Sequence, residues 1–553
     1  MKGAARRRFT TPGKDALDVR EIASPSGLAI GLLPNGGLFA IEHRHKRGWT
    51  RVSLVEGSPL EGGIARLYLR VRAPEPHLAL AACANSELRI GVAGDRAVWQ
   101  GSTAGVRTEV TLWLHPRRRV WLWRVDASND GAAAVTCDAL LLQDVGLGER
   151  AFLMNNEAYA SQYIDHHVAR HPRCGPVVMS RQNLAQAGRH PWVAHGCLEG
   201  AVGFATDAQQ LLGQAYRDTG ALDPRLDLPG SRLQHELACP MIQSMPATLE
   251  PGGRVRWTFF GLYEPDHPAA SGEADLARIA GVLRAAGDLA ARKVRLATPV
   301  RSLLQDALPL VARALAQGEI AERYPERTHE ERIDGELASF FTPDAAHNRH
   351  VVLRAKERLV ARRHGTVLRS GDTVLPDEAM LSATCWMHGV FAAQLALGNS
   401  SFHKLLSVSR DPYNITRSSG LRILVDHGRG WRLLAVPSAF EIGLSDCRWL
   451  YRLEDRTVTV SALAAGDAPA MHWRVTVAGE PCRFLVLAHL VLGERELDHA
   501  GCVEIDPAQI ARLGSVKLSA GMPAEVMVLA GERTLLQYLV QPVKDSFRRS
   551  FRE

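Results

Sequence analysis

Between about residues 25 and 265 the chain is a succession of short apolar or alternating segments, each ended by turn-forming residues. Segments 67–71, 109–114 and 120–125 are typical, and 129–131 reads Asn-Asp-Gly, a strong turn signal. Alternation over a few residues is the pattern of a strand with one buried face, and breaks at Gly, Pro, Asn or Asp separate such strands. Many short strands without helices between them predict an antiparallel β-sandwich.

The periodicity changes at about residue 272, where apolar residues recur with helical spacing. One stripe consists of Leu276, Ile279, Ala280, Leu283 and Ala286, and a second consists of Leu304, Leu308, Val311 and Leu315. Thr298 and Pro299 between the stripes have the order expected of an N-cap followed by proline at the first helical position. The pattern predicts two helices that connect two β-rich regions.

β-Like segments return after a charged stretch at 322–336, and one helical segment is predicted near 377–397. The clearest strands of this second region are 422–425, 431–436, 457–460 and 484–487. The predicted domains are an N-terminal β-sandwich at 1–270, a helical linker at 271–330 and a second β-rich domain of sandwich type at 331–553. The predicted fold class is therefore mainly β, with two antiparallel β-sandwich domains joined by a helical connector.

Composition is that of an ordinary globular protein of two or three domains, since 46% of the 553 residues are hydrophobic and 23% are charged. The net charge of +7 comes from arginines scattered along the chain, without a basic helix interleaved with aromatic residues, so we expect no nucleic-acid partner. The sequence has no apolar run long enough for a membrane span and no secretory signal pattern. We therefore expect a cytoplasmic protein without a membrane partner.

Nine cysteines are widely spaced and form no Cys-x-x-Cys pair. This spacing fits reduced thiols better than a disulfide framework, and it argues against a structural zinc site, which needs closely spaced ligand pairs. Asp165, His166, His167 and His171 are the other conceivable metal ligands, but their spacing fits no standard motif. Phosphate loops and dinucleotide fingerprints are also missing, so we expect no metal and no cofactor.

The densest run of polar and aromatic residues extends from 155 to 167. It supplies five candidate substrate-binding residues, Asn155, Glu157, Tyr159, Gln162 and Tyr163. Amides and carboxylates match the vicinal hydroxyls of a sugar, and aromatic rings cover its C–H surface, so the run is typical of a carbohydrate site. The alternative is that these side chains satisfy backbone groups of a loop at the edge of the sandwich.

Two later runs supply further candidates for substrate binding. Trp386 and His388 lie beside Gly389, which permits close approach of either a ligand or a neighbouring chain segment. Glu441 lies in a third run, where no Gly-x-Ser-x-Gly elbow of a hydrolase is present. Glu157 and Glu441 are conceivable partners for glycosidase chemistry, which needs two acids across one bond. The residues alone predict a β-protein of carbohydrate-binding type and assign no catalytic residue.

Three regions of the sequence, taken in order, resemble 1,2-β-oligoglucan phosphorylases, which are relatives of cellobiose phosphorylase in glycoside hydrolase family 94. The first region includes 143–144, 155–166 and 181–183, and the others include 386–391 and 436–441, with 420–423 and 479–482 in the same order. The resemblance extends from about residue 35 to residue 492. It implies that the sandwiches are of the galactose-mutarotase-like supersandwich type.

The resemblance also implies phosphorolysis of β-1,2-linked glucooligosaccharides, in which the co-substrate inorganic phosphate attacks the anomeric carbon and α-glucose 1-phosphate is released with inversion. It places the general acid in an (α/α)6 barrel, to which no part of this sequence is similar. We therefore expect an N-terminal, carbohydrate-binding-type region that shapes the substrate site and is inactive alone, with the barrel in a further domain or a separately encoded partner chain. The alternatives are a free-standing, non-catalytic carbohydrate-binding protein and a mutarotase-like or lyase-like enzyme that uses Glu441 or His388.

Overall fold

The structure is a computed structural model that describes most of the chain. The described residues are 7–11, 19–46, 48–85, 87–155, 157–234, 237–344, 347–359, 363–370, 380–397, 404–406, 417–418, 420–426, 428, 430–464, 470–488, 501–505 and 524–529. Two units hold most of the strands, and we call them the N-terminal sandwich (residues 19–264) and the second sandwich (residues 309–529).

Strands of the first part of the chain are β1 (Arg7–Thr11), β2 (Arg20–Ala23), β3 (Leu28–Leu32), β4 (Leu38–His45), β5 (Gly48–Arg51), β6 (Arg66–Ala73), β7 (His77–Ala82), β8 (Arg89–Ala93), β9 (Arg96–Thr103), β10 (Val106–Leu114), β11 (Val120–Asn129), β12 (Val135–Leu142), β13 (Gly148–Glu149), β14 (Ile164–His171), β15 (Gly175–Gln182), β16 (Trp192–Cys197), β17 (Ala201–Asp207), β18 (Ala238–Ser244), β19 (Ala247–Leu249) and β20 (Arg254–Glu264).

Strands of the second part are β21 (Pro309–Leu310), β22 (Thr328–Ile333), β23 (Glu336–Asp344), β24 (His347–Leu353), β25 (Gly365–Arg369), β26 (Leu381–Trp386), β27 (Val390–Leu397), β28 (Lys404–Leu406), β29 (Leu421–Asp426), β30 (Trp431–Leu434), β31 (Ala439–Ile442), β32 (Asp446–Arg452), β33 (Arg456–Ala464), β34 (Ala470–Gly479), β35 (Arg483–Ala488), β36 (Gly501–Ile505) and β37 (Ala524–Leu529). The helices are α1 (Arg150–Asn155), α2 (Glu157–Gln162), α3 (Gln214–Thr219), α4 (Ile279–Gly287), α5 (Leu303–Asp306), α6 (Gln317–Arg323) and α7 (Arg354–Leu359), with single 3-10 segments at Ala208–Gln210 and Glu273–Arg278.

The N-terminal sandwich is built from three antiparallel sheets. Their strand orders are β14-β15-β16-β20-β11-β10-β9-β8, β17-β18-β12-β6-β7 with β19 paired to β12, and β13-β5-β4-β3-β2. Alternation along β11 divides its side chains between two cores: Trp121 and Trp123 pack between the sheets, while Val120 and Leu122 belong to the cluster that α4 covers. The predicted strands at 67–71, 109–114 and 120–125 are confirmed as parts of β6, β10 and β11.

The connector contains one of the two predicted helices. Helix α4 buries Ile279, Val282 and Ala285 against the outer face of the largest N-terminal sheet. Of the predicted stripe only Ile279 is fully buried, whereas Leu276, Leu283 and Ala286 are half-buried and Ala280 is exposed. The second predicted helix, over Leu304 to Leu315, is wrong: α5 is only four residues long and is capped by Ser302 rather than Thr298. Pro309 supplies the reason, because it lacks a backbone N–H and disfavours helical geometry at Leu308.

Beyond α5 the connector runs alongside the second sandwich. Strand β21 pairs in parallel with β30, and Leu433 and Ala435 donate backbone hydrogen bonds to the carbonyls of Leu308 and Leu310 at 3.0 and 3.1 Å. Further on, the Ala312 N–H donates to the Val436 carbonyl at 3.1 Å. These backbone hydrogen bonds therefore make the connector part of the sheet that contains β30.

The second sandwich contains two large sheets. Their orders are β21-β30-β29-β27-β26-β25, with β28 on β27 and β35 on β29, and β22-β23-β24-β31-β32-β33-β34-β37; β1 pairs separately with β36. The predicted strands at 422–425, 431–436, 457–460 and 484–487 are confirmed in β29, β30, β33 and β35, although β30 ends at Leu434.

The helix predicted near 377–397 is wrong where the structure describes that segment. Residues 377–379 lie outside the described part, and the remainder forms the β26–β27 hairpin. Leu381, Ala383 and Cys385 are buried in alternation with half-buried residues, which is the period of a strand and not of a helix.

The two sandwiches meet through α3 and α7. The Gln214 side-chain amide donates to the Glu357 carbonyl at 3.1 Å, and Arg358 lies 3.3 Å from the Asp218 carboxylate. Buried Arg217 lies 3.9 Å from the Glu357 carboxylate, whose other oxygen is 2.6 Å from His364 Nδ1. Burial lowers the pKa of Arg217, while Glu357 acts in the opposite direction. These polar contacts join segments more than 130 residues apart in the chain.

The cysteine side chains that the structure describes are Cys83, Cys137, Cys174, Cys197, Cys239, Cys385, Cys447 and Cys482; each is buried and free of a disulfide. Burial raises the pKa of Cys83 to about 12, which keeps this thiol protonated at neutral pH. Cys502 lies outside the described side chains. None of the helices in the described segments has the length and apolar character needed to cross a membrane.

Candidate functional site

The run at 155–167 includes the end of one short helix, a second short helix and the start of a strand. Asn155 ends α1, Glu157 begins α2, and Asp165 and His166 belong to β14. The two helices take the place of the loop named in the alternative interpretation, and the segment joins two strands at one end of the N-terminal sandwich. The side chains of Asn155 and Glu157 lie outside the described part of the structure.

Tyr159 and Tyr163 form a pair of phenols at the end of this segment, in which Tyr159 is exposed and Tyr163 is half-buried. Their ring centroids are 4.6 Å apart with planes at 59°, and the Tyr163 hydroxyl donates to the Tyr159 hydroxyl at 2.8 Å. Four residues separate them, which places both rings on one side of a helical turn. Tyr159 is 46% exposed, and Gln162 is exposed between them. The hydrogen bond from Tyr163 to Tyr159 raises the pKa of Tyr163.

Buried polar groups fix the base of the segment. The Gln182 amide donates to the carbonyls of Gly146 and Ala160, both at 3.1 Å. The Ser161 hydroxyl accepts a hydrogen bond from the Ala238 N–H at 2.7 Å, and the Asn183 N–H donates to the Tyr163 carbonyl at 2.8 Å. Because buried hydrogen-bonded groups hold a chain far more firmly than solvated ones, the tyrosine pair projects from a fixed base.

Asp144 and Gly146 follow β12, next to helix α1. One Asp144 oxygen accepts backbone hydrogen bonds from Leu54 and Val55 at 2.9 and 2.7 Å. Burial raises the pKa of Asp144 to about 6, although these two hydrogen bonds act against the increase. A Cβ at Gly146 would lie 2.8 Å from Leu153 Cδ1 and 3.0 Å from Leu54 Cα, so a larger residue would displace the Leu153 side chain of α1.

The histidines of this region lie in the sheet rather than in a metal site. His166 is buried with Nδ1 2.9 Å from the Ser180 hydroxyl. Its neighbour His195 is fully buried, its ring meets Trp121 edge-on at 5.9 Å, and neither of its nitrogens has a hydrogen-bond partner in the described structure. Burial lowers the pKa of His195 to about 3. Groups of three or more potential metal ligands do not occur among the described residues.

Trp386 and His388 lie at the turn of the β26–β27 hairpin. Trp386 packs on Val390, and its carbonyl accepts a hydrogen bond from Trp449 Nε1 at 3.0 Å. His388 is buried, with Nε2 3.3 Å from the Arg217 carbonyl of α3. Burial, reinforced by the charge of Arg217, places the pKa of His388 well below its ordinary value.

Gly389 allows this turn to pack against the neighbouring strand. Its φ is +66°, and a Cβ there would lie 2.0 Å from the Leu434 carbonyl oxygen. The tight approach is made to the protein itself, so the alternative of packing at this run is supported. His388 consequently contributes to the contact between the sandwiches.

Glu441 is a buried carboxylate, and it is 2% exposed. One of its oxygens accepts from the Tyr324 hydroxyl at 2.7 Å and from the Arg323 guanidinium at 2.9 and 3.1 Å, and Arg448 lies 3.6 Å from the other. Burial and the charge of Glu441 raise the pKa of Tyr324. This network fastens the end of α6 to β31.

The candidate residues thus fall into three neighbourhoods. Tyr159, Gln162 and Tyr163 share the exposed segment of the N-terminal sandwich, Trp386 and His388 share the inter-sandwich hairpin, and Glu441 lies under α6. Sequence reasoning missed Arg217 and Glu357, because the pairing that joins them connects distant parts of the chain. Gln182 lies in the motif at 181–183, but the sequence did not assign it the role of an anchor.

Comparison with known proteins identifies both sandwiches. Residues 31–261 match the SOGP N-terminal domain, and residues 324–513 match the glycoside phosphorylase supersandwich domain. Over 444 residues the chain is 31% identical to a 1,2-β-oligoglucan phosphorylase of Listeria innocua serovar 6a, an alignment that covers 80% of this chain and 39% of the relative. The chain therefore spans about two fifths of the length of that enzyme.

Solved structures with low similarity include a polysaccharide lyase (TM-score 0.30, 9% identity, 86% of this chain and 47% of that chain). A galactose mutarotase related enzyme from Lactobacillus acidophilus gives a TM-score of 0.25 at 8% identity, over 46% of this chain and 100% of that chain. We draw no conclusion about this chain from TM-scores this low. The matched supersandwich domain and the antiparallel sheets confirm the predicted mainly β fold class, and the described residues form no (α/α)6 barrel.

Proposed function

The chain is a relative of 1,2-β-oligoglucan phosphorylases, and on that premise we propose that it is the N-terminal, carbohydrate-binding-type region of such an enzyme. In this proposal it borders the site at which inorganic phosphate cleaves β-1,2-linked glucooligosaccharides to α-glucose 1-phosphate with inversion. The general acid is supplied by a barrel in a further domain or a partner chain, and the protein acts in the cytoplasm.

The Tyr159–Tyr163 pair, with Tyr159 exposed, is the observation that carries the proposal. Its ring faces offer the apolar surface that covers the C–H side of a pyranose, and its hydroxyls offer donors and acceptors at the rim. The Tyr159 hydroxyl accepts the bond from Tyr163, so its own proton remains to be donated to a sugar hydroxyl. Exposed Gln162 adds an amide on the same turn.

The fixed base of the segment supports the same proposal. A binding group that is already held in place loses little conformational entropy when its ligand arrives, and affinity improves accordingly. Gln182 and Ser161 provide that restraint from within the sandwich. A segment that only closed the edge of a sandwich would not require a pair of phenols on a buried polar base.

Glu441 and His388 are poor choices for the mutarotase-like or lyase-like alternative. A general acid or base must reach a substrate proton, yet both side chains are buried and engaged by neighbouring residues. Burial also keeps the pKa of His388 far below the range in which an imidazole exchanges protons at neutral pH. We therefore assign Glu441 to the packing of the second sandwich and His388 to the contact between the two sandwiches.

Calorimetric titration with β-1,2-glucooligosaccharides tests the binding role. We expect Tyr159→Ala to abolish measurable binding, because it removes both a ring face and the partner of Tyr163. Val202→Ala is the matched control, since Val202 is 47% exposed in β17 of the same sandwich. Full binding by Tyr159→Ala would show that the segment is not the glucan site.

An assay of phosphate release from α-glucose 1-phosphate with sophorose as acceptor tests the division of labour. We expect no turnover by this chain alone, and turnover would contradict the assignment of the general acid to another domain or chain. Turnover after addition of a barrel-bearing partner would support a phosphorylase. Glucan binding without turnover under either condition would favour the free-standing carbohydrate-binding protein.

A further inference from the structure

A second exposed aromatic cluster lies at the edge of the second sandwich, on β22, β23 and β24. The Phe341 ring stacks on His350 with centroids 4.7 Å apart and planes at 16°, and His329 meets it edge-on at 5.9 Å. Phe341 is 36% exposed. We call these three side chains the Phe341 platform. None of them belongs to a region used in the proposed function.

The backbone beneath the platform is irregular in a way that positions His329. The β22–β23 pairing shifts register between Thr328 and Glu331, and His329 has a φ of +52°. A non-glycine residue in this conformation is strained, and such strain and bulges concentrate where a side chain is directed toward a function. Here the irregularity directs the His329 ring onto Phe341.

A polar cluster borders the platform. The Ser339 hydroxyl donates to Glu331 at 2.6 Å, and Lys356 of α7 reaches both Glu331 and the Ser339 hydroxyl. Ser339 and Phe341 share one face of β23, because two residues separate them. The bond from Lys356, followed by that from Ser339, lowers the pKa of Glu331, so the carboxylate is charged at neutral pH.

We propose that the Phe341 platform binds a pyranose ring of a β-linked glucan, with the C–H face of the sugar on Phe341 and its hydroxyls directed to Glu331 and Lys356. A flat ring held by a stacked partner, beside one acceptor and one donor, is the combination that pyranose recognition requires. A purely apolar partner would leave the charged Glu331 side chain, which is 46% exposed, beside its surface. The proposal rests on the proposed function, since it takes the same glucan as its ligand.

Electrophoresis in gels containing linear β-1,2-glucan tests the proposal with the full chain. We expect Phe341→Ala to weaken the retardation by glucan about fivefold, and Phe341→Trp to preserve it because a ring face remains. Leu463→Ala is the control, since Leu463 is 46% exposed on β33 of the same sheet. We expect it to migrate like the wild type. Thermal unfolding of each variant verifies that it is folded.

The Phe341→Trp variant also gives a direct readout. We expect a saturable change in its tryptophan fluorescence on titration with sophorose, beyond any change in the wild-type protein. Equal retardation of Phe341→Ala and wild type would overturn this proposal alone. A wild-type protein that glucan does not retard would overturn the proposed function and this proposal with it.

Discussion

The two sandwiches use tyrosine in opposite ways. In the N-terminal sandwich, Tyr159 is exposed and Tyr163 is half-buried, and their hydroxyls bond to each other. In the second sandwich, Tyr324 turns inward and donates to buried Glu441. Residue type is the same in both places, but only the first pair has hydrogen-bonding capacity left for a ligand. A candidate site is distinguished from an internal structural contact by exposure and by unused hydrogen-bond donors, and not by the presence of a phenol or a carboxylate.

The buried groups of the two sandwiches differ as well. His195 lies in the N-terminal core with neither nitrogen bonded to a partner in the described structure, whereas Glu441 is surrounded by donors. Protonation of a buried, unpaired imidazole is unfavourable, and removal of the donors around a buried carboxylate is unfavourable as well. Acid should therefore lower the stability of the N-terminal sandwich, and truncation of Glu441 should lower the stability of the second sandwich.

Acid should give the largest effect. The pKa of His195 is about 3 in the folded state and 6.5 in the unfolded chain, so the unfolded state binds more protons between these values. Stability is complete above pH 6.5 and is lost as pH falls toward 3, by about 3 kcal/mol at pH 4 for this residue. We expect His195→Leu to reduce that loss in the N-terminal sandwich, as measured by hydrogen exchange of its peptides. An unchanged pH dependence would show that His195 is not the source.

Truncation of Glu441 in the second sandwich should give the second-largest effect. Glu441→Ala leaves the buried Tyr324 hydroxyl without its acceptor, and we expect a loss of about 2–3 kcal/mol of unfolding free energy in denaturant titrations. Glu336→Ala, on an exposed strand end, serves as the control. Glucan binding should be unaffected. Loss of glucan binding at unchanged stability would instead show that Glu441 contacts the ligand.

Loosening the base of the tyrosine pair should cost less. Gln182→Ala leaves the buried Gly146 carbonyl without its side-chain donor, and it leaves the Ala160 carbonyl with only the Tyr163 N–H, at 3.3 Å. We expect about 1–2 kcal/mol of destabilisation, with faster hydrogen exchange over 146–163. Glucan affinity should fall because the pair is no longer held in place. Gln209→Ala, in the same sandwich but away from this base, should change neither quantity.

Removal of one phenol hydroxyl should have the smallest effect. Tyr163→Phe removes the hydrogen bond to Tyr159 but keeps both ring faces, and we expect the calorimetric affinity for β-1,2-glucooligosaccharides to change by about twofold. A much larger loss would mean that the Tyr163 hydroxyl contacts the sugar itself. Comparison with Tyr159→Phe separates the two hydroxyls.

Most of the fold could be predicted from the sequence because the strand signal is local. The short apolar runs at 109–114 and 120–125 predict strands, and the structure has strands there that are buried on both faces. The helix over Leu304–Leu315 failed because four apolar residues with helical spacing outweighed Pro309. The helix predicted at 381–397 was wrong for a related reason. The strand there is buried on one face and half-buried on the other, so its apolar and polar residues alternate only weakly.

The candidate site could be predicted only in part. The run that contains Tyr159 and Tyr163 stands out by composition, so its residues were found, but whether a side chain faces solvent depends on neighbours that are distant in sequence. Glu441 illustrates this, because its partner Tyr324 lies 117 residues earlier. The Phe341 platform was missed for the same reason: stacking on His350 follows from strand register, which the sequence does not state.

The parallel pairing of the connector with β30 has a consequence for synthesis of the protein. Leu433, which pairs with Pro309, is made after more than 120 further residues. At about 5–20 residues per second, the connector waits roughly 6–25 s for its partner strand, by which time the N-terminal sandwich has left the ribosome. During that interval the connector must stay out of other sheets. The proline in β21, which cannot donate to a neighbouring strand, makes premature pairing there less favourable.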